Sequence, residues 1–367
     1  MNTGKLIIEI LQKAVSLKVS DVHLKEGSSP IFRIYRDLHL DSAFPPLTAG
    51  DIEGIFQEIA SEEQRQSFQK NWELDFSCKL NNVGRFRVNA SFQSGTIKLV
   101  FRWVREQVPS IEQLGLPEVC KELALKRDGL VIITGPTGCG KSTTLAAMLN
   151  YINHSVKRNI VTIEDPIEFF YQDDLSTFSQ REVGTDTHSF AEALKYVFRQ
   201  DPDIILIGEM RDLETMSIAL TAAETGHLIL TTLHTPSSTE AIERFIDVFP
   251  AEQHPQVRLQ LSTTLQGVLY QSLIPVAERD EVVPAVEVLI ATPAVRNLIR
   301  EGKSYQIQSF MYSGMADGMQ TLDQSLLELF GKGKINREEA LSRMRSPEKL
   351  SKEMGTTYFT RSNGVKK

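Results

Sequence analysis

Three hundred and sixty-seven residues, 41% of them apolar and 24% charged, describe a globular chain able to bury cores without staples, and at roughly 150 residues per domain they predict two domains. Forty basic against 47 acidic residues, a net charge of −7, argue against a chain built to coat nucleic acid. Cys78, Cys120 and Cys139 are odd in number and widely spaced, which excludes a disulfide framework and a structural zinc site and fits a reducing compartment.

The first residues, MNTGKLIIEILQKAVSLKVSD, interrupt an amphipathic stretch with Glu9 and Lys13, unlike a signal peptide. No apolar run approaches the ~18 residues that cross a bilayer. A cytoplasmic chain without direct membrane insertion is expected. Residues 5–18 place Ile7, Ile10, Leu11, Ala14 and Leu17 at helical spacing, and a second helix should start at Thr48, with Ile52, Ile55, Phe56 and Ile59 on one face. PIFRIY (30–35) reads as a strand. RFRVNASF and TIKLVFRW alternate apolar and polar residues around a Ser94-Gly95 turn, the signature of a hairpin. The first 107 residues therefore predict a small α+β domain with an antiparallel sheet.

That turn sets Arg87 directly opposite Arg102, with Arg85 two residues along. Opposed like charges destabilise a sheet, so an anion is expected between them and removal of either arginine should stabilise the domain slightly. One reading is an arginine finger offered to the triphosphate of a neighbouring subunit; the other is a solvated strand face with splayed arginines.

The proline-flanked VPSIEQLGLP (108–117) is expected to be a linker. Beyond it, LVIIT (130–134), NIVTI (159–163), IILIG (204–208) and LILTTL (228–233) alternate with helical patterns at 142–152, 188–199 and 212–225. Continuous apolar strands separated by helices predict a parallel sheet covered on both faces, over a core of residues 118–290. From 291 to 367 the chain reads as helical, with starts at Thr292-Pro293, at Asn336 with Glu339 as a capping box, and at Ser346-Pro347.

Residues 135–142, GPTGCGKS, match G-x-x-x-x-G-K-[ST] between a strand and a helix. The backbone from Gly135 through Pro136, Thr137, Gly138, Cys139 and Gly140 would cradle phosphates. Lys141 would reach the β- and γ-phosphates of ATP, and the Ser142 hydroxyl, next to Thr143, would reach Mg²⁺. Ligands of a parallel sheet sit at the carboxyl ends of its strands. Glu164, Glu209 and His234 all follow strands and should converge there, one acid beside Mg²⁺ and the other taking a proton from water. His227 precedes its strand, at the opposite rim, where a helix C-terminal contact is the simpler reading.

GPTGCGKSTTLAAML, TIEDPIEF, RQDPDIILIGEMRDLET, ALTAAETGH and TLHTPSS…RFIDVFP resemble the Walker A, Asp box, Walker B and His box of secretion-superfamily ATPases. AVRNLIREGK (294–303) and GMQTLDQSL (318–326) are similar to motifs of the type IV pilus retraction ATPases, the PilT family. The resemblance runs from SDVHL (20–24) to near residue 350. It implies an α/β architecture: a PAS-like N-terminal domain, a RecA-like P-loop ATPase domain and a C-terminal helical region. It also implies a homohexamer that disassembles pili from a peripheral position on an inner-membrane platform protein, with other pilus ATPases as further partners. Carried over by position, it makes Glu164 the general base, Glu209 the Walker B acid near the metal, and both His227 and His234 His-box residues. Arg296 and Arg300 would form a basic stripe coupling nucleotide-driven movement to a neighbour or the platform. Cys139, Ser179, Thr231 and Pro236 depart from the usual residues. Pilus assembly and type II secretion ATPases usually carry an extra domain and a four-cysteine motif that these residues lack. A DNA translocase would need a basic groove with stacking aromatics. A non-hydrolysing scaffold would not need Lys141, Glu164 and Glu209 together.

Overall fold

The computed structural model describes residues 3–17, 19–34, 37–81, 83–104, 107–277 and 281–346. The chain divides into two compact units, Met1–Gln107 and Val108–Lys367.

In the first unit, helix α1 (Thr3–Ser16) buries Leu6, Ile7, Ile10, Leu11 and Ala14. Leu17 lies past the helix end and is exposed, so the expected apolar face is one residue shorter. Helix α2 (Ala49–Ile59) starts behind Thr48, whose hydroxyl and the Asp51 carboxylate cap each other's backbone N–H, the reciprocal arrangement that satisfies two orphan donors. Helix α3 spans Glu62–Asn71. The sheet is antiparallel throughout, with strands β1 (Asp21–Leu24), β2 (Ile31–Ile34), β3 (Asp37–Leu40), β4 (Glu73–Leu80), β5 (Gly84–Gln93) and β6 (Thr96–Val104) in the order β3-β2-β1-β6-β5-β4. Ser94 and Gly95 both take positive φ, 53° and 84°, as the tight hairpin turn requires. Phe86, Val88, Ala90, Leu99 and Phe101 fill the core from this hairpin.

The register sets Arg87 against Arg102, as expected, and Asp21 of β1 against the other side of Arg102. Arg102 Nε donates to Asp21 Oδ1 at 2.8 Å, and Arg33 Nε stands 3.9 Å from the second oxygen. The anion for Arg102 is thus supplied from within the unit. The expectation that losing Arg102 is stabilising is corrected, because its removal strips a partner from a carboxylate only 9% exposed.

In the second unit, strands β7 (Gly129–Thr134), β8 (Asn159–Glu164), β9 (Thr177–Glu182), β10 (Ile204–Ile207), β11 (Leu228–Leu233), β12 (Leu265–Pro275) and β13 (Val282–Ile290) lie in the order β13-β12-β7-β11-β10-β8-β9, all parallel except β13. Alternate residues face two cores. Leu130, Ile132, Val161, Ile163, Ile205 and Ile207 join one; Val131, Ile133, Ile160, Ile204 and Leu206 join the other. Helices α4 (Val119–Ala124) and α5 (Lys141–Ser155) cover the second core. The first lies under α6 (Phe190–Val197), α7 (Leu213–Glu224), α8 (Ser238–Asp247), α9 (His254–Thr264), α10 (Pro293–Arg300) and α11 (Ile307–Ser313). Helices α12 (Leu322–Gly331) and α13 (Arg337–Arg343) pack on the outer strands through Ile274, Ala285, Leu326 and Ala340.

Segment 108–117 is not a free connector. Ile111 and Leu116 are buried in the second core, so it belongs to the second unit, as do the helices after 290. Thr292 caps α10 with Pro293 in its first turn, and Asn336 caps α13 through the Glu339 N–H. Pro347 and the expected helix behind it lie outside the described residues. Arg296 is not part of an open basic stripe. Its guanidinium donates to the carbonyls of Ala291, Ser262 and Thr263 at 2.6–2.8 Å and so satisfies the C-terminal end of α9. Arg300 is exposed and donates to Asn297 Oδ1 within its own helix at 2.8 Å.

Arg102→Ala should therefore destabilise the first unit by about 1 kcal/mol, the small size reflecting a guanidinium largely in water. Both tryptophans, Trp72 and Trp103, lie in this unit, so urea unfolding of the whole chain followed by their fluorescence reads it selectively. A midpoint above wild type would restore the like-charge argument.

Candidate active site

The site grows from the end of β7, all six residues of which are buried. At Gly135, φ is +145° and a Cβ would stand 2.3 Å from the Gln271 carbonyl oxygen, so only glycine lets the chain leave the sheet edge there. Gly140, at φ +87°, ends the loop without a side-chain cap, and α5 begins at Lys141. The first amides of α5 thus have no side-chain acceptor at the cap, which makes that helix end an anion site.

The cleft beside this loop holds about 660 Å³. Thr137, Gly138, Gly140, Lys141, Ser142 and Thr143 line one wall; Glu164, Asp165 and Glu168, Glu209 and Arg211, and Thr232 and His234 face it, with Phe169, Tyr171 and Phe190 among the apolar lining. The strand register explains the convergence: β8, β10, β11 and β7 run parallel, so their carboxyl ends share one edge. Gly135, Pro136 and Cys139, loop residues expected to meet phosphate, do not line the cleft. The first two offer carbonyls to Lys141 Nζ at 3.0 and 3.1 Å. Cys139 is buried, and burial pushes its thiol pKa up.

Lys141 Nζ also lies 3.4 Å from His234 Nδ1. An ammonium only donates, so Nδ1 must be the bare nitrogen and Nε2 carries the proton. Nε2 faces Glu209 Oε1 at 3.4 Å. Burial, with the Lys141 charge, holds His234 below the usual histidine range. Burial likewise lowers Lys141. Burial alone would raise Glu209, but the Arg211 hydrogen bond at 2.7 Å and the charges of Arg211, His234 and Lys141 outweigh it and hold the carboxyl low. Glu164 is the opposite case. Desolvation pushes its pKa up to about 7, although Thr162 Oγ1 donates to Oε1 at 2.6 Å and Gln180 Nε2 at 3.4 Å. One acid is kept as an anion, while the other is poised to exchange a proton near neutrality.

His227 is not in the cleft. It precedes β11, and its Nδ1 lies 3.0 Å from the Ala222 carbonyl at the end of α7, with Phe198 against the ring. The sheet's amino-terminal rim is opposite the phosphate loop, so within this chain His227 makes the helix C-terminal contact and does not join the residues of the cleft. Arg87 and Arg102 belong to the first unit. Three contributors escaped the sequence reading: Gln180, Gln271 and Arg211. Only Arg211, two residues after the strand-end Glu209, carried a local signal. The Ser142 hydroxyl and the Glu209 carboxylate are hard oxygen donors that fit Mg²⁺, which binds few protein ligands and shares substrate phosphates. No group of three or more His, Cys, Asp or Glu side chains placed to hold a metal ion occurs among the described residues.

Residues 2–314 match the model of the type II/IV secretion system protein family. The chain is 47% identical over 342 residues to the type IV pilus retraction ATPase PilT of Pseudomonas aeruginosa, covering 93% of this chain and 99% of that one. It is 46% identical to a twitching motility protein of Neisseria gonorrhoeae, over 88% and 86% of the two chains. A crystal structure of the pilus retraction motor PilT with bound ADP superposes with a TM-score of 0.89 at 44% identity, over 94% of this chain and 99% of that one.

Glu164 also links the site to stability. Its folded pKa of about 7 exceeds the ordinary 4.5, so its protonated form favours the fold fully below about pH 4.5, and that contribution is lost as pH rises through 7. Glu164→Gln should match wild type at pH 5 and be more stable at pH 8 by on the order of 2–3 kcal/mol. Equal thermal midpoints at pH 8 would contradict this.

Proposed function

We propose that this chain, which belongs to the type II/IV secretion system protein family, is a Mg²⁺-dependent motor ATPase that works as a homohexamer to disassemble type IV pili and so drives twitching motility. The observation that carries the reading is the near-full-length likeness to a retraction ATPase. The chemistry of the cleft supports it.

ATP lies with its β- and γ-phosphates against the loop amides and the end of α5, and Lys141 exchanges the Gly135 and Pro136 carbonyls for phosphate oxygens. Ser142 and Glu209 would hold Mg²⁺, which would supply neutralisation of phosphate charge. Glu164 takes a proton from water as the water oxygen bonds to the γ-phosphorus and the bond to the β-phosphate oxygen breaks. Neutral His234, protonated at Nε2, orients Glu209. Arg87 acts on the triphosphate of a neighbouring subunit, where positive charge stabilises the transition state, while Arg102 beside it keeps its Asp21 partner within the unit. The ring docks peripherally on a membrane platform protein, and none of the described helices is long and apolar enough to cross a membrane.

Lys141→Ala should abolish phosphate release, because a cation is lost where transition-state charge grows. Glu164→Gln should keep nucleotide binding and lose turnover by at least about 100-fold, the lower end of a general-base contribution. In wild type, turnover should fall as pH drops through about 7, where the Glu164 carboxyl takes up its proton. A flat profile, or normal phosphate release from Glu164→Gln, would move the base to Glu209. In cells, Lys141→Ala should leave pili that no longer retract under the microscope; continued retraction would remove the motor role.

The finger reading predicts complementation. Subunits with Arg87→Ala, mixed with Lys141→Ala subunits, should recover part of the ATPase activity, since each lacks what the other brings. Mixed rings inactive at every ratio would argue against an arginine acting between subunits.

A further inference from the structure

The phosphate loop is held from behind by one residue of β12. Gln271 is buried, 4% exposed. Its side-chain amide bridges the loop and the helix that follows it: Nε2 donates to the Cys139 carbonyl at 2.7 Å, and Oε1 accepts from Thr144 Oγ1 of α5, also at 2.7 Å. Its backbone carbonyl is the atom that a side chain at Gly135 would strike, and Nε2 lies 3.0 Å from where a Cβ at Gly140 would be. The loop is thus touched by Gln271 at its first, fifth and sixth residues.

The Cys139–Gly140 peptide is planar and trans, since among the described residues the cis bond recorded is Asp165–Pro166. In such a unit the carbonyl and the following N–H point in opposite directions. Gln271 pulls the Cys139 carbonyl toward β12, away from the cleft. The Gly140 N–H is thereby turned toward the cleft that Gly140 lines. Gly140, free of Cβ and at positive φ, has no steric preference of its own that would keep this peptide from rotating. The buried amide supplies what the glycine lacks.

We propose that Gln271 is a positioning residue for nucleotide binding: it fixes the orientation of the Cys139–Gly140 peptide and so keeps a loop N–H aimed at the phosphates. This rests on the reading of the cleft as a nucleotide site. The role belongs to the amide's donor half. A carboxylate at 271 keeps the acceptor for Thr144 but faces the Cys139 carbonyl with a second acceptor, which drives that carbonyl away.

The test measures ADP affinity by calorimetry, and Mg-ATP turnover, with the full-length chain. Gln271→Leu, of similar volume, should weaken ADP by about 10- to 100-fold, the scale of one hydrogen bond to a charged group. It should raise KM by the same factor and leave kcat within about threefold, because the lost contact serves ground and transition states alike. Gln271→Glu should behave in the same way. Gln266→Ala is the control, on the same strand but bonded to the Asp128 carbonyl, and should bind ADP as wild type does. Wild-type ADP affinity in Gln271→Leu, or in Gln271→Glu if the leucine variant does not fold, would overturn the proposal, as would an equal loss in Gln266→Ala. A wild-type chain that binds no ADP would instead remove the nucleotide reading itself.

Discussion

Everything in the second unit depends on strands that run the same way. Hydrogen bonding of β8, β10, β11 and β7 in parallel brings four chain ends to one edge, and each strand there exchanges an apolar run for a polar residue. The loop after β7, Glu164 at the end of β8, Glu209 after β10 and His234 after β11 come from positions spread over a hundred residues. They meet because apolar alternation buries both faces of the sheet and leaves its rim as the place for charge. His227 shows the converse. It belongs to the same segment as His234 but precedes the strand, and six buried residues carry the chain from one rim to the other.

At that rim, burial and pairing divide the labour between two carboxylates. Glu164 is nearly enclosed, and its partners are the neutral Thr162 hydroxyl and Gln180 amide, which cannot offset the loss of water. Glu209 is more open and lies among Arg211, His234 and Lys141. The same side chain has its pKa raised in one place and lowered in the other. Sequence position named both acids, but their difference lies in what other strands and loops bring beside them.

That contrast describes how far the sequence was legible. The hairpin of the first unit could be read to the residue, since alternation fixed its faces and the Ser94-Gly95 turn fixed its register. Asp21 could not, because it reaches Arg102 across 81 residues, and no local pattern announces a partner from another strand. The four central strands were legible as unbroken apolar runs. Strand β12 was not: it follows α9 with no turn residue between them, and Gln266, Gln271 and Ser272 interrupt its apolar pattern. Gln271 was hidden for the same reason. A glutamine inside a strand carries no signal until a loop is seen to lean on it. Arg296 was misread because helical periodicity shows which face a side chain occupies, not that its guanidinium reaches back to the end of α9.

The cleft combines two kinds of contact. The frame is short-bonded and buried: Thr134 Oγ1 with Thr235 at 2.8 Å, Thr232 Oγ1 to the Gly208 carbonyl at 2.7 Å, and the Gln271 amide on the loop. The contacts of His234 with the charged groups are longer: Lys141 and His234 are 3.4 Å apart and His234 and Glu209 are 3.4 Å apart, while the 2.7 Å Arg211–Glu209 pair has its arginine mostly in water. A phosphate cannot improve on the frame, whose polar atoms are already satisfied. It can outbid the neutral carbonyls and imidazole for Lys141, because charged acceptors bind an ammonium more strongly than neutral ones. The groups free to change partners when an anion enters are therefore the cations and acids at the rim. Work can come only from interactions that differ between the nucleotide states, and in this unit those interactions lie at the ends of the strands.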